Sequence, residues 1–135
     1  MRRRRAVLGL ALLVVACGGS PARRDRAKEA ASWLATTRAV VGEWGRGTVP
    51  QSYAESSLES TSDMILRERE SMRAQGTGDA AAAEVDRLLG QAAAALERVR
   101  EVVRAGERPR AALPLGELAA SEAALRRWSE SEGNR

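Results

Sequence analysis

Apolar side chains recur at alternating steps of three and four through nearly all of the chain after residue 21, and no stretch alternates apolar with polar. That spacing lays one apolar stripe along each helix and leaves nothing to build a sheet from. Four segments carry it. The first, about 22–44, has Ala27, Ala30, Leu34, Thr37, Val41 and Trp44 in register. Ser20-Pro21 fits an N-cap followed by proline at the first helical position, and Gly45 and Gly47 supply a stop. The second, about 49–74, has its seam at Ala54, Leu58, Thr61, Ile65 and Met72. Thr48-Val49-Pro50-Gln51 has the spacing of a capping box, with Pro50 tolerated in the first turn.

The third segment, about 80–105, opens on Asp79 as N-cap. Val85, Leu89, Ala92, Leu96, Val99 and Val103 form its seam, which Leu88 and Val102 widen into a core-facing stripe. Glu84/Arg87, Glu97/Arg100 and Glu101/Arg104 stand three apart on its outside. Gly106 stops it. Gly90 interrupts it, at a cost of about 1 kcal/mol against alanine; it either leaves room for the close approach of a neighbouring backbone or is simply tolerated. The fourth, about 115–129, repeats the pattern at Leu118, Ser121, Leu125 and Trp128. Short connections make successive helices antiparallel. The expected fold is all-α: a small up-down helical bundle of three long helices and one short one over residues 22–129, with a polar tail over 130–135. Its seams are rich in alanine, which buries little area per residue, so the bundle should be modestly stable and gain from self-association.

Composition narrows the chemistry. The chain has no His and one Cys. Histidine-based catalysis, imidazole metal sites, the Glu-x-x-His di-iron motif, an internal disulfide and a cysteine-ligated zinc are therefore excluded. A serine nucleophile would need Lys28, the only lysine, as its base, and Lys28 sits in a charged run. No enzyme activity and no cofactor are expected.

The N-terminus carries a separate signal. Arg2–Arg5 are followed by an 11-residue apolar run, Ala6–Ala16, and then by Cys17-Gly18-Gly19-Ser20. As a helix that run reaches only about 16 Å, against about 30 Å of bilayer core, so it reads as the apolar region of an export signal. Leu13-Val14-Val15-Ala16-Cys17 resembles the lipobox of bacterial lipoprotein precursors, with Val14, Val15, Ala16 and Cys17 matching position by position. The resemblance implies diacylglyceryl transfer to the Cys17 sulfur and cleavage between Ala16 and Cys17. On this reading residues 1–16 are signal peptide and residues 17–21 are the lipidated Cys and its tether. The chain is then lipid-anchored in the bacterial cell membrane or outer membrane, facing the periplasm or the exterior. Gly18, where Asp would retain such a protein in the inner membrane, favours the outer membrane in a Gram-negative host.

Maturation also changes the charge. Arg2–Arg5 are four of the 22 basic residues, so their removal leaves 18 basic side chains against 18 acidic ones. The net charge of +4 belongs to the signal peptide, and nucleic-acid binding loses its support.

Within the bundle, Trp33, Trp44 and Tyr53 form the candidate partner surface. Trp44 and Tyr53 flank one turn, while Trp44 is also in register with its seam and Trp33 stands beside it. Glu55, Glu59 and Asp63 lie four apart on one helix face. Such a ladder can hold a hard cation, and its plainer reading is a solvated acidic stripe closed by Asp63/Arg67. Ser52, Ser56, Ser57, Ser60, Thr61 and Ser62 crowd the same helix with hydroxyls. Arg23, Arg24, Arg26 and Lys28 follow the anchor closely enough to meet anionic headgroups; equally, they read as a solvated first turn, with Asp25 and Glu29 offsetting two charges. The functional expectation is a membrane-anchored, non-catalytic interaction or scaffolding module of the cell envelope, acting on an envelope protein or on a second copy. The alternative is a small ligand-binding or sensor bundle.

Overall fold

In the computed structural model, residues 20–75 and 78–134 are described. They form four helices: α1 (Ser20–Gly45), α2 (Gln51–Ala74), α3 (Ala80–Arg104) and α4 (Ala112–Gly133), with a single 3-10 turn at Arg108–Arg110 before α4. No strand occurs among the described residues.

Cross-helix pairs fix the directions. Thr37 meets Thr61 and Arg26 meets Glu68, so α1 and α2 oppose each other. Gln51 donates to the Arg104 carbonyl, which sets the start of α2 against the end of α3. Arg98 pairs with Glu117, and Arg38 with Glu122, which opposes α4 to both α3 and α1. Arg23 reaches Asp79, so α1 and α3 begin at the same end. Each helix packs on two neighbours around one core.

The expected seams of the first three helices are the core. Ala27, Ala30, Leu34, Thr37, Val41 and Trp44 of α1 are buried, as are Ala54, Leu58, Thr61, Ile65 and Met72 of α2. So are Val85, Leu88, Leu89, Ala92, Leu96, Val99 and Val103 of α3, with Val102 packed at the margin. Two helix ends close alike. Gly47 and Gly106 take positive φ, +78° and +68°. The N–H groups of Gly47 and Thr48 then bond back to the carbonyls of Trp44 and Glu43, and those of Gly106 and Glu107 to Val103 and Val102. Each is a Schellman end, which satisfies carbonyls the helix would leave open. Asp79 caps α3 as expected, accepting from the Ala82 N–H at 2.7 Å.

Four expectations are corrected. The fourth helix is not short: it runs 22 residues, from Ala112 to Gly133, starting three residues before the expected 115 and taking in most of the expected polar tail. Pro114 lies in its first turn, where a missing N–H costs nothing. Its buried face is Leu118, Glu122, Leu125 and Ser129 rather than Leu118, Ser121, Leu125 and Trp128. Glu122 is tolerated inside because Arg38 and Arg126 reach it at 3.0 and 3.2 Å. Thr48 does not cap α2. Its hydroxyl turns back to the carbonyl and carboxylate of Glu43, and the cap position is Pro50, with no side-chain bond. α1 already includes Ser20 and Pro21, so the helix begins inside the expected tether.

Gly90 makes room for a side chain rather than a backbone. A Cβ there would lie 3.1–3.3 Å from the guanidinium of Arg69, which lies across α3 to grip Asp86 at 3.1 and 3.4 Å. Of the expected surface pairs on α3, Glu84/Arg87 and Glu97/Arg100 form. Glu101 and Arg104 form no ion pair.

Two carboxylates that join elements make stability depend on pH at the acid end. The Ala82 N–H, then Arg23, hold the Asp79 carboxyl below its usual range, and Arg69, then Arg73, do the same for Asp86. Lowered folded-state values mean that both groups stabilise the fold above the ordinary carboxylate range. The contribution disappears as pH falls through the lowered values. With no histidine to titrate, the urea midpoint is expected to stay level from pH 8 to about pH 5 and to drop below about pH 4. Asp86→Asn should be less stable at pH 7 and show a shallower acid drop. A decline starting above pH 6 would contradict this assignment.

Candidate functional site

The helix that carries the hydroxyl-rich sequence faces α1 across an open groove of about 360 Å³. Thr37 and Thr61 form its floor, with hydroxyls 2.6 Å apart, and Ser57 approaches Thr37 at 3.4 Å. These buried hydroxyls satisfy one another, which is what allows polar groups in an otherwise apolar seam. Thr36 is also satisfied, donating to the Ser32 carbonyl at 3.1 Å. Ser56 and Ser60 are exposed on the rim, and their hydroxyls make no hydrogen bond to other described residues.

Trp33 and Tyr53 stand at opposite ends of this groove. Trp33 lies one turn from the Thr37–Thr61 pair, level with Met64. Tyr53 lies about two turns away on the other side, at roughly 1.5 Å per residue. Trp33 is half-buried and Tyr53 is 56% exposed. The lining is Trp33, Tyr53, Met64 and six serines or threonines, with no charged side chain. In a chain that is 30% charged, an uncharged strip with an aromatic at each end is a distinctive surface. It offers rim hydroxyls for hydrogen bonds and two ring faces for stacking.

The three aromatics of the expected partner surface are thus divided. Trp33 and Tyr53 share the groove, whereas Trp44 is wholly buried in the core and does not contribute to it. The neighbour of Trp44 is Arg108, whose guanidinium carbon lies 5.4 Å from the ring centroid and whose Nε donates to the Trp44 carbonyl at 2.9 Å. Trp128 is half-buried against the core.

The acidic ladder does not converge. Glu55 is half-buried and accepts from the Gln51 side chain at 3.2 Å, while Glu59 and Asp63 are exposed. Asp63 and Arg67 form no ion pair. Among the described residues, no group of three or more His, Cys, Asp or Glu side chains could hold a metal ion.

A second opening, of about 690 Å³, lies between the start of α1 and the end of α4. Its walls are charged, and nothing in the spacing of either helix alone marked it. The four clustered cations of α1 separate there. Arg23 is committed to Asp79 and Arg26 to Glu68, whereas Arg24 and Lys28 line the opening.

Ala16 and Cys17 lie outside the described residues. No helix among the described residues is long and apolar enough to cross a membrane. Neither a protein-family model, nor a curated protein, nor a solved structure matches the chain.

Proposed function

We propose that the chain is the precursor of a bacterial lipoprotein whose mature part is an up-down four-helix interaction module, held at the envelope by acyl chains on Cys17. The anchor reading rests on the charged start, the short apolar run and the only cysteine in lipobox register. Two or three acyl chains make a stable attachment where one alone is marginal. The interaction reading rests on the uncharged groove between α1 and α2, with Trp33 and Tyr53 at its ends. Its partner is an envelope protein or a second copy of the chain, and the module acts by binding rather than by catalysis. The small-ligand alternative draws on the size of the same groove, which falls within the range of small-molecule sites.

The test is photo-crosslinking of the native lipoprotein in its own envelope. A photoreactive residue at position 53 or 56 should yield a discrete crosslinked protein, and one at exposed Arg87 should not. Trp33→Ser should weaken that complex by roughly 2 kcal/mol, as for an aromatic interface anchor. Position-independent crosslinking, or none from the groove, would sink the assignment of this surface.

A further inference from the structure

The 690 Å³ opening between α1 and α4 brings five charged side chains of both signs together: Arg24, Asp25, Lys28, Arg126 and Glu130, with the Asn134 amide beside them. The charged groups of Arg24, Asp25, Lys28 and Glu130 have no ion-pair or hydrogen-bond partner among the described residues. Arg126 is half-exposed and tied on one side to Glu122 at 3.2 Å. Some charges of the chain are matched, as Arg23–Asp79, Arg69–Asp86 and Arg87–Glu84 are, and others, such as Asp63, Arg67, Glu101 and Arg104, stay unpaired on exposed helix faces. At this cavity unpaired charges of both signs converge on one space, and they match a ligand that itself carries both signs.

The place of the cavity identifies the source. It opens at the end of the bundle where α1 begins, and Ser20 is three residues from Cys17. Three residues span at most about 11 Å, so an acylated Cys17 holds this end, and not the Thr48–Gln51 end, against the lipid headgroups.

We propose that the α1–α4 cavity binds the zwitterionic headgroup of a membrane phospholipid of the phosphoethanolamine class. Arg24, Lys28 and Arg126 take the phosphate, and Asp25 and Glu130 take the primary ammonium. Charge-assisted hydrogen bonds of both senses set the choice of lipid. A purely anionic headgroup would meet Asp25 and Glu130 unfavourably. A quaternary ammonium has no N–H to give them. Binding would fix the orientation of the module on the bilayer and leave the α1–α2 groove facing sideways along it. This proposal rests on the lipoprotein reading for the source of the ligand.

The test is native mass spectrometry of the full mature lipoprotein in detergent with equimolar phosphatidylethanolamine, phosphatidylcholine and phosphatidylglycerol of identical chains. One phosphatidylethanolamine should be retained in preference to the other two. Arg24→Gln and Lys28→Gln should each lower its retention about tenfold, the usual effect of losing one charged hydrogen bond. Asp25→Asn with Glu130→Gln should erase the preference over phosphatidylglycerol. Free phosphoethanolamine should displace the lipid where inorganic phosphate does not. Equal retention of the three lipids, displacement by inorganic phosphate alone, or variants that behave like the parent would each overturn the proposal. The same spectrum weighs the protein. An acylated chain that retains no lipid sinks the headgroup site alone, and an unacylated chain that retains phosphatidylethanolamine sinks the lipoprotein reading alone.

Discussion

Cys17→Ser is expected to abolish fatty-acid incorporation completely. In cells fed a labelled fatty acid, the parent chain should carry label that survives denaturation and solvent extraction, and its N-terminal peptide should begin at a modified Cys17. The variant should carry none. The size of the effect follows from the chain having one cysteine and one acylation register. A hydroxyl cannot replace the sulfur, because its nucleophilic form, unlike a thiolate, is scarcely populated near neutral pH. The apolar run of residues 6–16 would reach about 16 Å as a helix, against about 30 Å of bilayer core, and no helix among the described residues is a candidate span. Label persisting in Cys17→Ser, or a parent chain with an unmodified N-terminus, would remove the anchor and with it the membrane-facing role of the α1–α4 cavity.

The core of the first three helices is legible in the sequence because their seams hold to the three-and-four step, with one gap in α2, where the step from Ile65 to Met72 passes over Glu68. Every seam residue from Ala27 to Trp44, from Ala54 to Met72 and from Val85 to Val103 is buried. The fourth helix misled on two physical grounds. Pro114 reads as a break, yet in a first turn it removes an N–H that has no partner anyway. Glu122 reads as solvent-facing, which turned the predicted face by one residue. What makes its burial affordable is Arg38, 84 positions away, and no spacing rule reaches that far. The candidate site divided for a similar reason. Trp44 reads in the sequence as both seam and surface, and its register decides for the core. Trp33 and Tyr53 read as candidate surface, Trp33 from its place beside a seam and Tyr53 from its place across the turn from Trp44. Their common groove depends on how α1 and α2 meet, which the Thr37–Thr61 pair settles and periodicity does not. The unpaired charges at Arg24, Lys28 and Glu130 were harder still. A run of mixed charge looks the same in sequence whether its members are matched, as Arg23 and Arg26 are, or left open.

Trp44→Ala is expected to cost about 4 kcal/mol, the largest loss from any single side chain in the bundle. Trp44 is the bulkiest fully buried residue and closes the core at the end where α1 turns toward α2. Its carbonyl accepts from the Gly47 N–H and from Arg108, both at 2.9 Å, so the ring, the Schellman turn and the approach to α4 meet at one residue. Small domains have only about 5–15 kcal/mol in hand, and alanine-rich seams place this one toward the lower part of that range. The variant should therefore unfold at a sharply lower urea concentration with an unchanged slope. Trp44→Phe separates the contributions. The indole Nε1–H is buried with no hydrogen-bond partner among the described residues, an omission that costs about 1–3 kcal/mol. Phenylalanine removes that stranded donor while leaving a smaller void than alanine does, and it keeps a ring face for Arg108. The two changes offset each other, so Trp44→Phe should lose less than about 1.5 kcal/mol. If phenylalanine proves as damaging as alanine, the indole N–H must have a partner in solution, such as a buried water. If alanine costs under about 1 kcal/mol, Trp44 does not close this core.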